Sequence, residues 1–309
     1  MSSPTGPASG LPVRMPRPRQ PGRHRRPEPV AAPEGAPALV LAVPGEPTTA
    51  TRNLAEELLS IARSELPGLD ARIGYLDGDD QGAYPEYPTL DAVLAYAATE
   101  RTARYEQALA AGREVAKPEG PVAVVVPLLA GPEASTMRRI RQALVDSHAA
   151  AELTDVLGPH PLLAEALHVR LSEAGLSRAD RARLFTVATA ADGIVLATVG
   201  GEEAVQAAGI TGMLLAARLA VPVMAAALDE EGSIASIAEQ LRGSGSANLA
   251  LAPYLIGPEV ATDLLETAAK EAGCAFAEPL GAYPAIGKLV LSQYATALGI
   301  TPQQAAPVH

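Results

Sequence analysis

The chain has 309 residues, 48% of them hydrophobic and 3% aromatic, and its 24 basic and 35 acidic side chains give a formal net charge of −11. That length leaves room for two domains of ordinary size, and the acidic balance argues against nucleic acid as the main ligand. No apolar run approaches the roughly 20 residues that cross a bilayer, no secretory signal is recognisable, and the single cysteine, Cys274, excludes an internal disulfide or thiolate metal site; a cytoplasmic protein is expected.

In chain order, residues 1–27 carry Arg14, Arg17, Arg19, Arg23, Arg25 and Arg26 and no acid. This stretch is rich in Pro, Gly and Ser, so residues 1–37 are expected to be a disordered tail. It reads either as a solvated tail or as an arm for a protein or other anionic partner. Ala38–Ala42 is a short apolar run, a buried strand broken by Pro44, Gly45 and Pro47. Thr48–Thr51 offer caps for an amphipathic helix over 53–66, which Pro67-Gly68 stops. Ala71–Leu76 is the second strand, followed by an acidic loop over Asp77–Pro88.

From Thr89 a helix runs long, through TERTARYEQALAAG (99–112), and is expected to be an insertion or extended hairpin without a later counterpart. Val122–Leu129 is nearly unbroken in its apolar character, the pattern of a parallel strand covered on both faces. GPEAS (131–135) opens the next helix, which carries Arg138, Arg139 and Arg141. Thr154–Leu157 reads as a short fourth strand and HPLLAEALHVRLSEAG (160–175) as its helix.

The chain then says the same thing again. ALVLAVPGE (38–46) is answered by GIVLATVGG (193–201), and GYLDGDD (74–80) by AALDEEG (226–232). PVAVVVPLLAGPE (121–133) is answered by NLALAPYLIGPE (248–259), and LGPHPLLAEAL (157–167) by LGAYPAIGKLV (280–290). Recurrence in one order marks a repeated structural unit. It places a first domain over 38–178, a second over 184–300 and a loose tail over 301–309. Strands alternating with helices imply parallel sheets and right-handed crossovers. The fold class is therefore α/β: two tandem related domains, each a small parallel sheet flanked by helices, facing across a cleft.

In open parallel sheets ligands bind beyond the strand carboxyl ends. Here those ends hold carboxylates, glycines and His160, with no serine or cysteine triad, and Gly200-Gly201 is not a dinucleotide fingerprint. Glu133, Asp77 and His160 would together offer one imidazole and two carboxylates to a metal such as Fe2+ or Co2+. Each also has a plainer reading: Glu133 and Glu259 beside helix N-terminal dipoles, Asp77 as a cap, His160 as a ring in a tight turn. Arg138 and Arg139 lie in the first turns after Glu133, as two-pronged cations for an anionic ligand or as a solvated helix face.

The phrases VVVPLLAG, LGPHPLLAEAL, LALAPYLIGP and LGAYPAIGKLVL resemble those of the class II chelatases of the CbiX/SirB type, over roughly residues 38–298. The resemblance implies a lyase that inserts Fe2+ or Co2+, as substrate, into sirohydrochlorin for siroheme or cobalamin. It further implies an anionic tetrapyrrole held between the domains of a monomer, with Gly45, Gly131, Arg138, Arg139 and Glu259 lining the substrate. The two histidines of the family pattern are replaced by Pro44 and Glu133 in the first half and by Val199 and Glu259 in the second. Proline and valine neither ligate a metal nor take a pyrrole proton, and a glutamate of ordinary pKa, about 4.3, is a weak base unless burial raises it. Two readings follow. One is a chelatase rebuilt around Glu133 as catalytic residue, with Glu133, Asp77 and His160 on the metal. The other is a catalytically inactive relative that binds a tetrapyrrole, a metabolite or a protein partner.

Overall fold

The computed structural model describes residues 31–33, 35–80, 83–177, 190–257, 259–260 and 262–299. The expectations for the basic tail over 1–30, for most of the join between the halves and for the tail over 301–309 lie outside the described residues.

Strands β1 (Ala38–Val43), β2 (Ala71–Tyr75), β3 (Ala123–Pro127) and β4 (Ala151–Leu153) form one parallel sheet in the order β2-β1-β3-β4. Strands β5 (Gly193–Thr198), β6 (Val223–Ala227), β7 (Leu249–Pro253) and β8 (Ala275–Phe276) form a second in the order β6-β5-β7-β8. Eight helices alternate with them among the described residues: α1 (Thr49–Glu65), α2 (Leu90–Ala110), α3 (Ala134–Asp146), α4 (Pro161–Glu173), α5 (Gly201–Leu219), α6 (Ser233–Gly243), α7 (Thr262–Glu271) and α8 (Pro284–Ala297). The central strands are buried along their whole length because helices cover both faces, which is why they read as unbroken apolar runs rather than alternating ones. Helix starts follow local chemistry: the hydroxyls of Thr48 and Thr89 accept the amides of Thr51 and Ala92, satisfying donors that the first turn leaves open.

Two expectations require correction. The fourth strand is Ala151–Leu153, paired with Ala123–Val125. The residues expected there, Thr154–Leu157, run on beside β3 through the Thr154 amide to the Val125 carbonyl and the Leu157 amide to the Leu129 carbonyl. A three-residue edge strand with Glu152 exposed leaves no apolar run to read. The long segment after Thr89 is one continuous helix, α2, in the same place in the order as α6; it is an extended counterpart rather than a hairpin.

Helices α2 and α3 cover the outer face of the first sheet, where Leu90, Leu94 and Ile140 pack on Val40 and Val125. Helices α6 and α7 do the same for the second, with Ile234, Leu241 and Leu265 on Val195 and Leu251. Each inner face is covered partly by its own helix, α1 on the first sheet and α5 on the second, and partly by exchange: α4 packs on β7 and α5 of the second half, and α8 on β3 and α1 of the first. A single core results, joining Leu39, Leu41, Leu163 and Leu167 to Ile194, Leu196, Ile286 and Leu289. Each such side chain sealed from water contributes about 1.5–3 kcal/mol, so the joint between the halves is core rather than surface contact. Polar bonds finish it: the Tyr294 hydroxyl donates to the Pro37 carbonyl at 2.7 Å, and Nε of Arg170 to the Leu280 carbonyl at 3.0 Å. No helix among the described residues is long and apolar enough to cross a membrane.

Candidate functional site at the strand carboxyl ends

The expected residues lie at the strand carboxyl ends: Gly45 after β1, Asp77 after β2, Gly131 and Glu133 after β3, His160 after β4 and Glu259 after β7, with Arg138 and Arg139 on α3. The loop after β3 rests directly on the loop after β5. At Gly200 a Cβ would stand 2.7 Å from the Pro132 carbonyl oxygen and 3.1 Å from Cα of Glu133, and its φ of +115° lies in the region glycine alone adopts freely. Only a glycine lets the two backbones approach this closely. Gly131 lies on the ring of Tyr254, the second half's counterpart of Leu128. Tyr254 is buried, its hydroxyl 3.1 Å from that of Thr211, and burial pushes its pKa up to about 12, so it is a structural phenol and not an acid–base group.

Glu133 is the N-cap of α3. Its Oε1 accepts the Ser135 amide at 2.9 Å, while Oε2 accepts the Thr136 amide and the Ser135 hydroxyl. Burial alone would raise its pKa, but the bonds from Thr136 and Ser135 outweigh burial and hold it below the usual carboxylate value. Asp77 is paired with Arg139, which also donates to the Leu76 carbonyl at 3.2 Å. His160 is the N-cap of α4, its Nδ1 accepting the Leu162 amide at 3.1 Å; this fixes a neutral ring with the proton on Nε2, and burial lowers its pKa.

Each of the three residues expected on a metal is thus engaged locally. Among the described residues no three His, Cys, Asp or Glu side chains gather to hold an ion, so the site expected from Glu133, Asp77 and His160 is not assembled. The physical reason is proximity: backbone amides at helix starts and a neighbouring guanidinium satisfy each group where it stands.

Glu259 departs from its partner in the repeat. Helix α7 begins only at Thr262, and the Glu259 carboxylate turns back on its own loop, Oε1 accepting the Ile256 amide at 2.8 Å and Oε2 the Gly257 amide at 2.7 Å. The residue as a whole is half-buried, but its carboxyl is enclosed, and burial raises its pKa to about 7 against the pull of those amides. The expectation that it sits in a helix dipole as Glu133 does is therefore not met. Gly45, after β1, has a φ of +79° and is half-buried beside Pro44. Of the two arginines, Arg139 is committed to Asp77, whereas Arg138 is exposed on the first turns of α3.

Sequence reasoning passed over His168, buried on α4 and accepting Nε of Arg218 from α5 at 2.8 Å across the joint. Its signal was its place on the apolar face of α4, one turn after Ala164 and just before Leu171.

No family model matches the chain, and no curated protein matches it in sequence. Solved structures match it in shape. SirB from Bacillus subtilis with Fe3+ has a TM-score of 0.57 at 14% identity, covering 85% of this chain and 98% of that one. The sirohydrochlorin chelatase SirB from Bacillus subtilis subspecies spizizenii in complex with cobalt has a TM-score of 0.55 at 13% identity, covering 85% and 96%. A multi-domain protein of Deinococcus radiodurans with structural similarity to chelatases gives 0.52 at 18%, covering 84% of this chain and 55% of that one. At such identities the likeness is one of fold.

Proposed function

Starting from the class II chelatase fold that this chain has, we propose that it binds an anionic tetrapyrrole of the sirohydrochlorin type at the strand carboxyl ends and does not itself insert a metal. The observation that supports this most is the engagement of Glu133, whose carboxylate caps α3 and is held below its usual pKa. Metal insertion removes two pyrrole protons, which asks for a base titrating near neutrality and for ligands that hold the ion and then release it. Glu133 lacks the first property, and Pro44 and Val199 lack both. Arg138 is positioned to meet ligand carboxylates, and Arg139 joins it when such a carboxylate replaces Asp77.

Glu259 favours a second reading, insertion of Fe2+ or Co2+ as substrate. A carboxyl titrating at about 7 is close to half ionised at neutral pH and has the basicity that Glu133 lacks. An anaerobic absorbance titration of sirohydrochlorin with Co2+, with and without the protein, separates the two. The expected result is a shifted macrocycle spectrum with no rate above the spontaneous one. Acceleration that is lost in Glu259→Gln would transfer the function to the second reading, and an unchanged spectrum would remove the tetrapyrrole altogether.

A further inference from the structure

The first half contains a cavity at the opposite end of its sheet, beside the amino-terminal ends of β1 and β2 and below the extended part of α2. Its volume is about 490 Å3, within the range of small-molecule sites. Most of the wall is apolar, from Ala38, Ala97, Ala108, Val115, Pro118 and Val122. The polar part is mainly cationic: Arg72, Arg101 and Arg104, with Asp70 and the Tyr105 phenol.

These cations are unequally satisfied. Arg72 grips Asp70 through two parallel bonds, Nε to Oδ1 at 2.9 Å and Nη2 to Oδ2 at 2.7 Å, and also reaches Glu100, which Arg104 shares. Two acids thus offset two guanidiniums. Arg101 instead donates to the carbonyl oxygens of Glu119, Gly120 and Pro121, and among the described residues no acid is paired with it. Two nitrogens of these arginines, Nη1 of Arg72 and Nε of Arg101, are sealed behind the wall without an acceptor. A buried donor left unmet costs about 1–3 kcal/mol, but these two are out of a ligand's reach, and what the wall itself lacks is a negative charge to offset Arg101.

We propose that this cavity binds a small organic carboxylate with an apolar body, its head group on Arg101 and its body against the alanines, Val115 and Val122. A carboxylate supplies the negative charge that the wall lacks. An inorganic anion would leave the apolar wall uncovered, and a cationic ligand would meet an unoffset guanidinium. The site belongs to the first half alone: α6, at Ser233–Gly243, is about half the length of α2 at Leu90–Ala110. It is independent of the tetrapyrrole reading, because it lies at the other end of the strands.

The test is calorimetric titration of the full chain with benzoate, hexanoate and octanoate, beside benzyl alcohol and inorganic phosphate. At least one carboxylate is expected to saturate a single site, about tenfold or more tighter than the alcohol or phosphate. Arg101→Met should weaken that binding by a similar factor, as should Ala108→Leu, which fills the apolar wall; circular dichroism checks that both variants fold. In the parent protein the Arg101 Nε–Hε resonance should shift with the same saturation curve, a readout that needs no variant. Failure of all three carboxylates to saturate at millimolar concentration overturns the proposal. So do equal binding of phosphate and undiminished binding by a folded Arg101→Met.

Discussion

Glu133 and Glu259 end the same repeated phrase, yet their carboxyl groups behave in opposite ways. The difference lies in the distance to the next helix: α3 starts at the residue after Glu133, so its carboxylate reaches free amides, while α7 starts at Thr262 and leaves Glu259 to fold back. For Glu259 the folded pKa of about 7 stands above its ordinary 4.5. The folded state therefore keeps a proton that the unfolded chain has lost. Stability should fall as pH rises from about 4.5 to about 7 and then level, by at most about 3 kcal/mol. His160 bends the profile the other way, since its lowered pKa gives stability that fades as pH falls below the ordinary 6.5. The difference between parent and Glu259→Gln isolates the carboxyl: urea melts across this range should show the variant gaining stability over the parent as pH rises. Superimposed profiles would sink the assignment. At this scale the sequence announced residue types and the place of Glu133 at a helix start, but not partners. Which amide or guanidinium a carboxylate takes depends on where a helix begins to within a residue, and hydrophobic patterning does not resolve that.

Among the elements, the α1–α8 contact is closely fitted. Gly287 lies in α8 where a Cβ would stand 2.7 Å from Cβ and Cγ2 of Ile61. Gly209, inside α5, has nothing within 4 Å of that position. Both are helix-interior glycines, and alanine gains about 1 kcal/mol of propensity at either. At position 287 overpacking of about 1–3 kcal/mol opposes that gain. Gly209→Ala should therefore raise the melting temperature and Gly287→Ala should lower it; equal upward shifts would show that α1 and α8 are looser than described. The strands and capped helices were legible because apolar runs and threonine caps are local signals. The edge strand β4 was not, since Ala-Glu-Leu pairs only through its backbone. The length of α2 was legible; its continuity was not, because low amphipathicity along Leu90–Ala110 hides one helix among several possibilities.

At the scale of the molecule, two tandem domains were readable from the repeated phrases, whereas their interlocking was not: periodicity shows that a helix has an apolar face, never which sheet it covers. Because α4 lies on the second sheet and α8 on the first, neither half holds the whole of its inner layer, although α1 and α5 stay on their own sheets. The segment 31–177 expressed alone should lack a cooperative thermal transition, as its α4 would expose Leu163, Leu167 and Leu171. Co-expression with 190–299 should restore one transition at a temperature near that of the whole chain. An independent, cooperative melt of the first segment would show that the exchange is incidental.

The same exchange has a mechanical side. Tyr294 of α8 is bonded to Pro37, just ahead of β1, so α8 is fastened where β1 enters its sheet. Tension between these two ends is borne sideways, across packed helix faces, instead of along the peptide bonds that join the halves. The molecule is in this sense a clasp: its two parts yield together or not at all.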